Sequence, residues 1–187
     1  MPELVKLVSY PEVLAAAARM GLRCVYPNSG AFEFADPARR QILGFALRAD
    51  ATVRPELRSS LHTVEPSTPR RLAEILVSQW QAHMPTADGW LLPASHWGHE
   101  LHHGNGAWLG PMLKRLQVDV PAEAAAPAVA FRPARHALLL EVAEAMFARL
   151  QESDFTVLFP PFPVIATLHH HRQLWWRAEA TMISRLL

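Results

Sequence analysis

Short strand-like and helix-like segments alternate along the whole chain, and that alternation limits the fold more than any single residue does. Leu4 to Val8 reads as a strand. Pro11 to Met20 reads as a helix entered through Tyr10-Pro11 and stopped by Gly21. Arg23 to Tyr26 and Ala31 to Ala35 follow as two short strands around the turn residues Pro27-Asn28-Ser29-Gly30. Asp36-Pro37 offers a cap for a helix running to about Leu47, with a strand through Ile42 to Ala46 as its competitor. Asp50 to Thr68 is polar, contains Pro55 and Pro66, and reads as an irregular connection.

The clearest helix starts at Ser67 or Thr68 and ends near His83. Leu72, Ile75, Leu76 and Trp80 recur along it at helical spacing. Gly89 to Leu92 reads as a strand and Trp108 to Leu116 as a short helix. Arg135 to Gln151 is a second strong amphipathic helix, with Leu138, Leu139, Val142, Met146, Phe147 and Leu150 available to a core. Phe155 to Phe159 and Val164 to Leu168 read as an antiparallel pair joined by Pro160-Pro161-Phe162-Pro163. Arg172 to Leu187 reads as a closing helix carrying Leu174, Trp175, Trp176, Ile183 and Leu186. Several strands interspersed with about four or five helices predict an α+β fold, with a mixed or mainly antiparallel sheet and helices packed on it. A length of 187 residues, half of them hydrophobic, suits one domain over residues 1–187. The Ala/Pro-rich stretch 121–130 is its internal waist or a surface loop.

Composition removes several classes of function. A formal net charge of +1 gives no broad field to hold nucleic acid or an anionic membrane. The basic stretch holding Arg39, Arg40, Arg48, Arg54, Arg58, Arg70 and Arg71 is balanced by Asp50, Glu56, Glu65 and Glu74, and reads as a solvated surface. The uncharged stretch Phe155 to Leu168 is too short to span a bilayer and is broken by prolines. No signal peptide is read at the N-terminus, and the single Cys24 forms no internal disulfide, so a cytoplasmic location is expected. Arginine in place of lysine and abundant alanine suggest a bacterial genome rich in G and C.

Seven of the ten histidines fall in two stretches, His96 to His103 and His169 to His171. Imidazole is the commonest metal ligand and titrates near neutral pH. His99-Glu100-Leu101-His102-His103 matches H-E-x-x-H, in which a helix puts both histidines on one face to bind zinc and the glutamate activates a metal-bound water. Gly98 and Gly104-Asn105-Gly106 oppose a helix here, and Leu109 stands where a metzincin pattern places its third histidine. A strand fits better, with Trp97, His99, Leu101 and His103 on one face and His96, Gly98, Glu100 and His102 on the other. Residues i and i+4 are then about 13 Å apart, which breaks the peptidase geometry.

A strand continuing from Val164 puts His169 and His171 on one face and His170 on the other. If the two histidine-bearing strands were neighbours, His96, Glu100 and His102 could join His169 and His171 in one zinc site. The expected function is a non-catalytic cytoplasmic binding or interaction protein. The alternative is a zinc-dependent hydrolase or other metalloprotein, with His96, His99, His103, His169 and His171 as metal ligands and Glu100 as catalytic base. Gly104 to Gly110 reads as a plain turn and helix start rather than a phosphate loop. Trp175-Trp176 reads as core, with docking of a second subunit as the alternative.

Overall fold

The computed structural model describes residues 5–48, 52–95, 97, 101, 108–120 and 127–187. Ten strands and five α-helices form among them. The strands are β1 (Val5–Val8), β2 (Leu22–Cys24), β3 (Phe32–Phe34), β4 (Gln41–Ala46), β5 (Leu61–Thr63), β6 (Gly89–Pro93), β7 (Ala128–Phe131), β8 (Phe155–Phe159), β9 (Phe162–His169) and β10 (Gln173–Ala178). The helices are α1 (Tyr10–Arg19), α2 (Pro69–His83), α3 (Leu109–Arg115), α4 (His136–Arg149) and α5 (Ala180–Leu186).

Eight strands build one sheet in the order β1-β7-β6-β8-β9-β10-β4-β5. Every pairing is antiparallel except β4 with β5. The expected α+β class with a mainly antiparallel sheet is what forms. No helix among the described residues is long and apolar enough to cross a membrane.

One face of the sheet carries the main core, built on Trp80, Phe147, Phe159 and Trp176 and closed by α2, α4 and α5. Thr68 caps α2 by accepting the Arg71 amide at 3.2 Å, and Pro69 occupies its first turn, where no intrahelical donor is needed. Arg70 ties α2 to α4 through Glu144 at 2.9 Å. Among the described residues, the other face is covered over only part of its width. There α1 and the β2–β3 hairpin bury Val13, Met20, Phe32 and Phe34 against Leu92, Ala128, Leu158 and Ile165.

Tyr10 fixes this second layer. Its hydroxyl donates to the Ser29 carbonyl and accepts the Ser29 amide, both at 3.1 Å, and lies 3.2 Å from Cys24 Sγ. Burial, followed by the bond to the Cys24 thiol, raises its pKa from 10.0 to about 12. An unfolded tyrosine ionises near 10, so the phenol's contribution to stability is complete below pH 10 and is lost as pH rises towards 12. Urea midpoints measured at pH 8, 10 and 11 should fall only over the upper interval, and Tyr10→Phe should remove that fall.

Four expected elements form differently. Asp36 caps a single 3-10 turn, Pro37–Arg39, and the chain then enters β4, so the competing strand wins over a helix to Leu47. The connection expected over Asp50 to Thr68 contains a 3-10 turn, Pro55–Ser60, and the edge strand β5. The end of the Ala/Pro-rich stretch is β7, a wholly buried strand between β1 and β6; residues 121–126 of it lie outside the described residues. The closing helix is only α5. Gln173 to Ala178 form β10 instead, with Leu174, Trp176 and Ala178 in the main core and Gln173, Trp175 and Arg177 on the opposite face. Trp175 and Trp176 are 8% and 0% exposed within the chain itself.

Candidate functional site

The part of the second face that the described residues leave open, over β9, β10 and β4, is a cavity of about 510 Å³. That lies within the roughly 300–1,000 Å³ usual for small-molecule sites. Period-two alternation sets its lining. Thr167 and His169 come from β9, Gln173, Trp175 and Arg177 from β10, and Ile42 from β4. Residues Thr52, Val53, Arg54 and Leu57 form a side wall, and Arg40 stands at the rim.

The floor is the Trp175 indole. It lies across β4 at Gly44, its partner in register, where a Cβ would stand 2.4 to 2.8 Å from three ring atoms. Only glycine permits that approach. Trp175 Nε1 donates to Gln173 Oε1 at 2.9 Å, and Gln173 Nε2 donates to the Thr52 carbonyl at 2.8 Å. This buried amide chain locks the floor to the side wall.

Arg177 closes the inner end. Its guanidinium donates to the Phe32 carbonyl at 3.0 Å and to Thr167 Oγ1 at 2.9 Å. Both acceptors are neutral, and among the described residues no carboxylate forms an ion pair with it. Burial pushes its pKa down and Arg40 pushes the same way, while Glu33 and Asp154 oppose them through space. A guanidinium keeps its proton even so. The cavity therefore holds a half-buried positive charge that no carboxylate among the described residues touches directly.

The histidine triplet forms the other end. β9 stops at His169, and His170, His171 and Arg172 make a three-residue hairpin loop to Gln173. Arg172 occupies the left-handed position at φ 58°, as the last residue of such a loop does, and its amide returns to the His169 carbonyl at 3.0 Å. Glycine suits that backbone better, so Arg172→Gly is expected to raise stability by up to about 1 kcal/mol, read as a melting point higher by roughly 2–4 °C.

Because the strand ends there, the expected split of His169 and His171 from His170 does not occur. All three rings bunch together. His169 and His170 stack at 4.4 Å between centroids, and His171 lies 4.2 Å from His170. Asp154 anchors the group. Its Oδ1 accepts the His170 amide at 3.0 Å and stands 2.8 Å from His170 Nδ1, while Oδ2 lies 3.7 Å from His169 Nε2. Burial lowers the His169 pKa; Asp154 opposes that and the two neighbouring imidazoles add to it.

The pairing expected between the two histidine-bearing strands falls on residues 96–103, most of which lie outside the described residues. β9 has β8 on one edge and β10 on the other. His96, His99, Glu100, His102 and His103 lie outside the described residues, as do Gly104, Asn105 and Gly106. Of that stretch, Trp97 and Leu101 are described. Both are buried in the main core, and Leu101 has helical backbone where a strand was expected. Trp97 Nε1 donates to the Pro127 carbonyl at 3.1 Å.

The residues that sequence reasoning missed here are Asp154, Gln173, Trp175 and Arg177. For the last three the signal was the alternation Gln173-Leu174-Trp175-Trp176-Arg177-Ala178, polar or amphipathic at every second position; Asp154 had none. Arg40 and Arg54 were visible as part of a basic stretch; both are exposed, as a solvated surface predicts, and both also border the cavity. Comparison with family models, with curated proteins and with solved structures gave no match to this chain.

Proposed function

We propose that this chain is a non-catalytic binding protein for a small amphipathic anion, held over β9, β10 and β4. The observation that carries the reading is Arg177: a half-buried guanidinium at the inner end of an open cavity, bonded only to neutral oxygens. A carboxylate, phosphate or sulfonate there would add a counter-charge in direct contact and take charge-assisted hydrogen bonds. Arg40 and Arg54 add attraction on the way in. Trp175, Ile42, Val53 and Leu57 would cover the apolar body of the ligand. A cytoplasmic location goes with this reading, supported by the lone cysteine.

A thermal-shift screen of aryl and alkyl carboxylates, phosphates and sulfonates, each beside its neutral amide or ester, tests the proposal. Stabilisation is expected from anions with an apolar body and not from their neutral counterparts. Equal shifts from charged and neutral members, or none from any, would overturn it.

A further inference from the structure

We propose that His169, His170 and His171 form a binding site for a divalent transition ion, zinc by preference, at the hairpin end of the same cavity. The inference does not depend on the anion reading. It rests on how three neutral nitrogen donors are gathered and oriented.

Each imidazole offers a ring nitrogen within 4.8 Å of one on each of the other two. Tetrahedral zinc with bonds of about 2.0–2.1 Å needs its nitrogens roughly 3.4 Å apart. Small side-chain rotations close that gap, and the site allows them, since His169 and His170 are half-buried and His171 is exposed. The hairpin loop supplies the convergence that a straight strand denies.

Asp154 sets which nitrogens are free. Its Oδ1 accepts a hydrogen bond from His170 Nδ1–H, leaving the His170 Nε2 lone pair free for a metal. Its Oδ2 faces His169 Nε2, leaving His169 Nδ1, which now accepts the His171 amide at 3.1 Å and would exchange that proton for the ion. The carboxylate thus orients the His170 imidazole by a hydrogen bond, the arrangement that commonly backs metal-binding histidines, and lies 3.7 Å from His169 Nε2. Nitrogen donors select zinc, nickel, cobalt or copper over calcium and magnesium. Three protein ligands leave a fourth position open towards the cavity, for water or an anionic group. Arg40, Arg54 and Arg177 line that cavity, so they oppose the ion through space, while Asp154 favours it.

Zinc alone is the probe, added to the full chain purified without a histidine tag, so a failure of organic anions to bind leaves the result readable. Titration calorimetry should show a zinc site that survives His99→Ala/His103→Ala and is lost in the His169→Ala/His170→Ala/His171→Ala variant. Asp154→Asn should weaken it roughly tenfold to hundredfold. His171→Ala, at an exposed position, keeps the test available if the triple variant misfolds, and should weaken zinc at least tenfold with an unchanged melting point in the absence of metal. Cobalt in place of zinc should give the intense visible bands of a tetrahedral site. No zinc binding by the wild-type chain, or binding unaltered by the triplet variants, would overturn the assignment.

Discussion

Gly44→Val is expected to push Trp175 off β4 and into the cavity it floors. The Cβ alone would sit 2.4 Å from one indole carbon and under 3 Å from two more, and the β-branch of valine adds bulk on the same side. The ring cannot swing freely, because Nε1 is bonded to Gln173 and Trp175 is buried. Overpacking of this kind costs about 1–3 kcal/mol. Once displaced, the indole loses its acceptor, and an unmade buried hydrogen bond costs about 1–3 kcal/mol more. The chain should therefore melt markedly lower, with tryptophan emission shifted to the red. Ligand binding should be lost even where the variant remains folded. Val at the neighbouring position Phe45, whose side chain faces the main core, should leave the cavity intact and serves as the control.

Arg177→Met is expected to weaken anion binding in a chain that still folds. The two hydrogen bonds lost, to Phe32 and Thr167, come from a charged donor and are worth about 1.5–3 kcal/mol each. Burial already disfavours the charge, so its removal offsets part of that loss. The variant should melt lower than wild type and remain folded. Binding of an anion should fall by about tenfold to a hundredfold, the worth of hydrogen bonds to a charged group. Arg177→Lys should recover only part of it, because the ammonium keeps the charge without the planar fork.

Most of the fold was legible because its elements announce themselves locally. The apolar spacing of Leu72, Ile75, Leu76 and Trp80 and the cap at Thr68 gave α2 almost to its ends. Gly21 stopped α1 at a left-handed position that favours glycine. The candidate site was much less legible. Trp175 and Trp176 are adjacent, and two adjacent tryptophans look apolar in either period, so the alternation around them reads as a helix end. What decides for a strand is pairing on both sides, with His169 to Ile165 and with Ala46 to Gln41, and pairing is non-local. The triplet was visible as composition, but its convergence comes from a three-residue loop and from Asp154, fifteen residues or more upstream in sequence. Nothing in a single run of histidines tells a loop from a continuing strand.

The central claim is that the Arg177 guanidinium is the anchor of an anion site. The most direct measurement is a fluorescence titration of wild type and Arg177→Met with anilinonaphthalene sulfonate, an aromatic body carrying one anionic group. The account predicts saturable binding to wild type with energy transfer from Trp175, weakened about tenfold or more in the folded variant. Equal affinity for both proteins, or tighter binding to Arg177→Met, would contradict it.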